Sequence, residues 1–172
     1  YLIDRATAEA HGIDSLDDLR DPRLARLFDR DGDGRADLIG CNPDWACAAS
    51  IDAHLDALDL RATVEQVQGD YSPLMAEAVD RFGSGEPLLF YTWTPNWTVG
   101  ELVPGRHVVW LEVPPVAAGH GEPAPRIADV PGSDRPLRLG WPPNDIRIVA
   151  NRSFLAGNPA IATLLERVRI PI

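Results

Sequence analysis

A seven-residue loop, Cys41-Asn42-Pro43-Asp44-Trp45-Ala46-Cys47, is the feature that most constrains this chain. Its two ends are the chain's two cysteines. Such a pair can form a disulfide, half of a metal site or a redox couple, but redox couples usually have C-x-x-C spacing. A zinc site needs further ligands, and the four histidines are scattered without ligand spacing. The spacing therefore favours a structural Cys41–Cys47 disulfide, which indicates an oxidising, extracytoplasmic compartment.

The bulk properties exclude several classes of protein. At 172 residues the chain is long enough for one domain with its own core. Its formal net charge of -10 argues against a nucleic-acid partner, because phosphate binding needs clustered Arg and Lys. No apolar run approaches the roughly 18 residues that a membrane helix needs. We therefore expect one globular domain without a transmembrane segment and without nucleic acid as a partner.

Strand signals alternate along the chain with helix signals of about ten residues. The predicted strands are 38–40, 63–67, 88–92, 108–113 and 146–150. The predicted helices are 47–58, 71–82 and 158–168, with helical turns at 16–19 and 23–28. Residues 114–143, rich in Pro and Gly, are predicted to form a long surface loop. The alternation predicts an α/β domain with a mostly parallel central sheet and helices on both faces.

Two tryptophans in loops suggest a binding surface. Trp45 lies in the cysteine loop, and Trp93 lies in the motif Tyr91-Thr92-Trp93-Thr94-Pro95. Two rings on rigid loops provide half of an aromatic cage, which binds cations that cannot donate hydrogen bonds, above all quaternary ammonium groups. Each cation–ring contact contributes about 0.5–2 kcal/mol, so two rings alone predict weak binding.

The helix predicted after the cysteine loop offers a site for an anion. Its first amides, near Ala46 and Cys47, have no intrahelical partners, and the helix dipole favours negative charge there. The loop could therefore hold both ends of a small zwitterion, with the carboxylate on these amides and the cation against Trp45. The alternative is that Asp44 caps the helix and that Trp45 is only packed.

The other three tryptophans are predicted to have structural roles. Trp97 lies four residues after Trp93 and is predicted to pack on the same face of a helical turn. Trp110 alternates within a strand and is predicted to lie in the core or on the sheet face. Trp141 is predicted to pin the long loop.

Further motifs extend over nearly the whole chain. They are Leu27-Phe28-Asp29 leading to Asp37-Leu38, Gln68-Gly69, Val108-Val109-Trp110-Leu111 and Ile148-Val149-Ala150-Asn151. Together with the cysteine loop and the Tyr-Thr-Trp-Thr-Pro motif, they make the chain similar to the periplasmic glycine betaine/proline betaine-binding proteins of osmoprotectant ABC importers.

This resemblance implies a fold and an organisation. The fold would be a single lobe of a type II periplasmic binding protein. Residues 1–172 would form the central segment of a two-lobe solute-binding protein whose other lobe is absent. The protein would be periplasmic or anchored by lipid at the cell surface, and it would work with a membrane permease.

The resemblance also implies a ligand and the residues that bind it. The ligand would be glycine betaine, proline betaine or a related quaternary ammonium osmoprotectant. Trp45 and Trp93 would be two of three tryptophans around the trimethylammonium group, and the amides of Ala46 and Cys47 would hold the carboxylate. The third tryptophan and a histidine would come from the absent lobe. No catalysis is expected, since no serine lies in a nucleophile-elbow context and no histidine accompanies a plausible nucleophile, and no cofactor is required.

A separate acidic segment, residues 29–37, fits the pattern D-x-D-x-D-G-x-x-D. Carboxylates at alternate positions converge on one point in calcium loops, and Gly34 permits the sharp turn. The predicted ligands of a structural calcium ion are Asp29, Asp31, Asp33, the backbone carbonyl of Arg35, and Asp37. Gly40 stands where a full EF-hand loop ends in Glu. The alternatives are a solvated Asp/Gly turn and, at the level of function, an extracellular calcium-dependent interaction domain that binds no small molecule.

Overall fold

A computed structural model describes residues 1–117 and 122–169 of the chain. Two compact units are formed, Tyr1–Pro142 and Pro143–Ile172. The first unit contains the sheet and both tryptophan loops. Among the described residues, the helices are all too short or too polar to cross a membrane.

The first unit is built on a five-stranded sheet with the strand order β3-β2-β4-β1-β5. The strands are β1 (Leu2–Asp4), β2 (Ala36–Ile39), β3 (Val64–Val67), β4 (Leu89–Phe90) and β5 (Val108–Trp110). Strand β2 runs parallel to β3 and β4, whereas β1 runs antiparallel to β4 and β5. The predicted α/β class is confirmed. The sheet is mixed rather than mostly parallel, because β1, which the sequence patterns did not indicate, inserts between two predicted strands.

Helices of varied length accompany this sheet. They are α1 (Arg5–His11), α2 (Pro22–Ala25), α3 (Ala46–Ala57), α4 (Tyr71–Gly83) and α5 (Thr98–Glu101), with 3₁₀ turns at Leu16–Arg20 and Arg26–Phe28. The predictions for α3 and α4 are right to within one residue at each end. Apolar positions three and four apart explain α3, since its Ala48, Ile51 and Leu55 are all buried in the core.

Asp4 is the last residue of β1 and the N-cap residue of α1. One of its carboxylate oxygens accepts a hydrogen bond from the amide of Thr7 at 2.8 Å, which caps α1. The other oxygen accepts a hydrogen bond from the amide of Leu88 at 3.0 Å. This buried carboxylate therefore links the first helix to the segment that leads into β4.

The segment predicted as a long surface loop is partly ordered against the core. Strand β6 (Arg126–Ile127) pairs antiparallel with β7 (Leu137–Arg138), and Val130 is buried. A side chain on Gly132 would place its Cβ 2.3 Å from the carbonyl carbon of Pro104, so the two backbones lie in direct contact. The loop prediction is therefore wrong for these residues, and part of it, residues 118–121, lies outside the described residues.

The second unit contains two helices, α6 (Arg152–Gly157) and α7 (Pro159–Arg167). The prediction of a helix over 158–168 is confirmed, whereas α6 was not predicted. The prediction of a strand over 146–150 is wrong: this stretch has no strand pairing among the described residues, and Ile146, Ile148 and Val149 are exposed. An alternating apolar sequence becomes a strand only where another strand completes its hydrogen bonds.

Candidate functional site

The cysteine loop is closed by the predicted disulfide between Cys41 and Cys47. It follows β2 and leads directly into α3. Within it, the amide of Trp45 donates to the carbonyl of Asn42 at 3.0 Å, which forms a tight turn with Pro43 at its second position. The turn and the disulfide together hold Trp45 at the edge of the loop, where it is 41% exposed.

The loop that carries Trp93 follows β4 and lies beside the cysteine loop. Strands β2 and β4 are parallel neighbours, with Ile39 opposite Phe90. The amide of Tyr91 continues this pairing by donating to the carbonyl of Ile39 at 2.8 Å. Because the carboxyl ends of parallel strands meet at the same edge of a sheet, both loops leave the sheet together.

The two predicted tryptophans lie next to each other at this edge. The ring centroids of Trp45 and Trp93 are 6.0 Å apart, with their planes inclined by 73°. Trp93 is 37% exposed, so both indoles reach solvent. An edge-to-face pair of this kind leaves indole surface free for a cation.

Two tyrosines that were not predicted as site residues complete the aromatic cluster. The ring of Tyr71 lies 6.1 Å from that of Trp45 and 5.1 Å from that of Trp93, and the ring of Tyr91 lies 5.9 Å from that of Trp93. Burial raises the pKa of both phenols, and the pKa of Tyr91 reaches about 12. Both rings are therefore uncharged at neutral pH. Tyr71 closely follows β3 and Tyr91 directly follows β4, and both strands are neighbours of β2; this position is the signal that could have identified them.

The amino terminus of α3 lies beside Trp45 in the chain. The helix begins at Ala46 with Trp45 at the N-cap position, and no side chain among the described residues caps it. The alternative that Asp44 caps this helix is therefore wrong, and Asp44 is exposed. The amide of Ala48 bonds to the carbonyl of Trp45 at 3.1 Å, which leaves the amides of Ala46 and Cys47 as the terminal donors.

The remaining tryptophans differ in how well their predictions hold. Trp97 is 46% exposed and precedes α5 rather than lying within it, so the prediction that it packs with Trp93 on a helical face is wrong. Trp110 is buried in β5, as predicted. Trp141 contacts the rings of His54 and Tyr91, with centroid distances of 4.7 and 5.0 Å, and so pins the end of its segment to the core.

The acidic segment brings carboxylates together in two overlapping groups. Oxygens of Asp29, Asp31 and Asp37 lie within 4.8 Å of one another, as do those of Asp31, Asp33 and Glu65. Glu65 was not predicted as part of this cluster; it lies in β3, where its Cα pairs with that of Asp37. Three converging carboxylates are the hard oxygen ligands that calcium prefers.

The same carboxylates also shape the loop by themselves. The two oxygens of Asp29 accept hydrogen bonds from the amides of Gly32 and Gly34, at 2.7 and 2.9 Å. Gly34 has a φ of 97°, in agreement with the predicted turn. The guanidinium of Arg35 forms ion pairs with Asp33 and Glu65, and so offsets part of the negative charge. The segment therefore combines a self-supporting Asp/Gly turn with a convergent set of oxygen ligands.

Comparisons with known proteins agree with this arrangement. The family model described as the substrate binding domain of ABC-type glycine betaine transport system matches residues 1–172. The glycine betaine-binding periplasmic protein OusX of Dickeya dadantii is 44% identical over 172 residues. The glycine betaine/proline betaine-binding periplasmic proteins of Salmonella typhimurium and Escherichia coli are 41% identical over 180 residues and 42% identical over 172 residues.

Each of these alignments covers 100% of this chain and 51% of the relative. The chain thus spans about half the length of the curated relatives it matches. The family model matches every residue of this chain. The chain belongs to the family of substrate-binding domains of ABC-type glycine betaine transport systems.

Proposed function

We propose that the chain is part of the substrate-binding component of an ABC importer and binds glycine betaine, proline betaine or a related quaternary ammonium osmoprotectant. Membership of the family and the names of the relatives support this function. The observation that carries the proposal is the pairing of Trp45 with Trp93 beside the uncapped amino terminus of α3.

Trp45 and Trp93 bind the trimethylammonium group in this proposal. A quaternary ammonium has no proton to donate, so indole faces bind it through their quadrupole, at about 0.5–2 kcal/mol for each ring. The neutral ring of Tyr71 is buried and contacts both indoles, so it supports them from the protein side. Binding through rings rather than hydrogen bonds favours methylated over unmethylated amines.

The amides of Ala46 and Cys47 bind the carboxylate. They belong to the first turn of a 12-residue helix, where the dipole and the terminal N–H groups favour an anion. Ala46 directly follows Trp45, so the groups for the two ends of the ligand are adjacent in the chain. This adjacency suits a small zwitterion whose charges are separated by one carbon.

Residues 1–172 act as one lobe of a two-lobe solute-binding protein. The partial exposure of Trp45 and Trp93 fits a site that is open on one side, and the relatives are about twice as long as this chain. A second lobe would close over the two indoles and supply the remaining walls of the cage. Affinity of the isolated chain should therefore be low.

The protein functions outside the cytoplasm together with a membrane permease. The relatives are named periplasmic proteins, and the Cys41–Cys47 disulfide suits an oxidising compartment. The role is binding rather than catalysis, and it needs no cofactor.

A structural calcium ion in the acidic loop is a separate proposal. Its ligands are Asp29, Asp31 and Asp37, with Asp33 and the carbonyl of Arg35, and the convergence of the carboxylates supports it. The ion would brace the strand that leads into the cysteine loop. The alternative of a calcium-dependent interaction domain has no support among the comparisons.

A tryptophan-fluorescence titration with glycine betaine into the tens of millimolar range tests the proposed function. Glycine and sucrose serve as osmotic controls, and Trp45→Ala serves as the site variant. We expect a saturable change that is specific to the methylated ligand and lost in Trp45→Ala. A saturable change that persists in Trp45→Ala would place the ligand elsewhere and contradict the proposed site.

A further inference from the structure

Tyr71 contacts both loops of the proposed site through three different groups. Its amide donates to the side-chain oxygen of Asn42 at 3.0 Å, its ring contacts both indoles, and its hydroxyl donates to Thr92 at 3.0 Å. We propose that Tyr71 is a positioning residue that sets the spacing of Trp45 and Trp93. The proposal rests on the proposed function of this site, and it assigns Tyr71 no contact with the ligand because the side chain is buried.

The amide of Tyr71 connects α4 to the cysteine loop. Asp70, the N-cap residue of α4, makes no capping hydrogen bond with its side chain. Asn42 satisfies the amide of Tyr71 instead, while its own carbonyl accepts from the amide of Trp45. The same residue thus caps the helix and forms the turn that presents Trp45, so a shift of Tyr71 changes that turn.

The hydroxyl of Tyr71 begins a directed chain of hydrogen bonds in the second loop. The side-chain oxygen of Asn96 accepts from both the amide and the hydroxyl of Thr98, at 3.0 and 3.1 Å. The single hydroxyl proton of Thr98 is thereby used, so Thr92 donates to Thr98 across 2.6 Å. Thr92 then accepts from the hydroxyl of Tyr71, which also lies 3.2 Å from a second acceptor in the same loop, the carbonyl of Tyr91. Thr92 directly precedes Trp93, so these hydrogen bonds fix the backbone from which that indole extends.

Because its members are buried, this chain of hydrogen bonds is sensitive to the loss of any one of them. Tyr71, Thr92 and Thr98 are all buried. A buried hydroxyl that loses its hydrogen-bond partner gains no water in its place, and this lowers the stability of the folded state. Removal of the Tyr71 hydroxyl therefore deprives Thr92 of a donor and permits the Trp93 loop to shift, while the ring that contacts both indoles remains.

The test compares Tyr71→Phe with Tyr1→Phe in the complete chain. Tyr1 is also buried, and its hydroxyl is hydrogen-bonded to His54 at 2.9 Å, so the two variants lose the same chemical group. Circular dichroism measures the exciton coupling of the two indoles without ligand, as the part of the signal that Trp45→Ala removes. Fluorescence titration measures the affinity for glycine betaine, and thermal unfolding measures stability.

We expect Tyr71→Phe to reduce the exciton signal and to weaken glycine betaine binding by about three- to tenfold. Tyr1→Phe should lower the melting temperature and leave the exciton signal and the affinity unchanged. Thr92→Val interrupts the same chain from its other side. It should reproduce the effect of Tyr71→Phe, and the double variant should lose less affinity than the sum of the two single losses.

Two results would overturn the proposal. An exciton signal and an affinity that both stay unchanged in Tyr71→Phe would show that the hydroxyl does not position the indoles. Equal losses in Tyr1→Phe would show that general destabilisation is the cause. If the unsubstituted chain binds no glycine betaine, the proposed binding by residues 1–172 alone fails, whereas the exciton comparison, which needs no ligand, still decides the role of Tyr71.

Discussion

The ring of Trp45 meets the ring of Trp93 edge to face, with 6.0 Å between their centroids. The two residues belong to different loops and are brought together by the parallel pairing of β2 with β4. A disulfide supports the first loop, and a buried hydroxyl chain supports the second. This pair of indoles is the basis of the predictions about binding.

Replacing Trp93 by alanine should weaken glycine betaine binding more than replacing Trp97 by alanine does. Trp93 belongs to the aromatic cluster, whereas Trp97 is exposed and has no ring contact among the described residues. One lost cation–ring contact of about 0.5–2 kcal/mol corresponds to a loss of about two- to thirtyfold in affinity. Titration of the two variants side by side measures this, and equal losses would contradict the assignment of Trp93.

Removing the Cys41–Cys47 disulfide should lower both stability and affinity. A loop of this length contributes roughly 2 kcal/mol by restricting the unfolded chain. The reduced loop would also hold Trp45 less firmly. Urea unfolding and ligand titration, with and without reductant, measure the two effects, and the Cys41→Ser/Cys47→Ser double variant should not respond to reductant. Unchanged stability of the parent chain under reductant would refute this prediction.

Stability should fall in alkaline solution because of the buried tyrosines. Burial raises the pKa of Tyr1, Tyr71 and Tyr91, the last from 10.0 to about 12. Above pH 10 the unfolded chain releases phenolic protons that the folded chain retains. This contribution is therefore complete below pH 10 and is lost as the pH rises through about 12. Urea unfolding across this range should show a steeper loss in the parent chain than in Tyr91→Phe.

Calcium should raise the melting temperature if it binds the acidic loop. A ligand at 100 times its Kd stabilises the folded state by about 2.7 kcal/mol. Asp31 belongs to both carboxylate groups, so Asp31→Asn should remove the effect. Asp134→Asn, the same change at an exposed aspartate outside these groups, should retain it. Identical melting temperatures in calcium and in chelator would argue against the site.

Gly132→Ala should destabilise the chain strongly. Its φ is 74°, and a Cβ would lie 2.3 Å from the carbonyl carbon of Pro104, which belongs to rigid backbone. We expect a loss of more than about 2 kcal/mol. Gly83→Ala is the matched control, because a Cβ there meets nothing within 4 Å. In α4 that change should stabilise by up to about 1 kcal/mol. Similar unfolding curves for both variants would contradict the close contact.

Local patterns were sufficient where a single segment carries its own signal. The spacing of apolar residues predicted α3, residues typical of helix ends predicted α4, and the separation of the cysteines indicated the disulfide. The two loop motifs suggested that Trp45 and Trp93 form half of an aromatic cage, the family resemblance implied the same pair, and the two rings are in contact. The prediction that Trp97 packs on a helical face was wrong, because its position relative to α5 depends on where a four-residue helix begins.

Local sequence patterns could not predict which distant segments pair with one another. Strand β1 has three residues and no alternation to detect, and it exists because β4 and β5 hydrogen-bond to it on both sides. Glu65 joins the acidic loop only through the register of β3 with β2. Tyr71 reaches both indoles because α4 begins beside the cysteine loop.

The sequence by itself determined the helices with clear periodicity, the disulfide loop and the two tryptophans on loops. Only the tertiary structure decided which side chains meet around them. The reason is physical: helix periodicity and loop closure depend on residues close in the chain, whereas sheet pairing and buried hydrogen-bond chains join residues that are far apart in it.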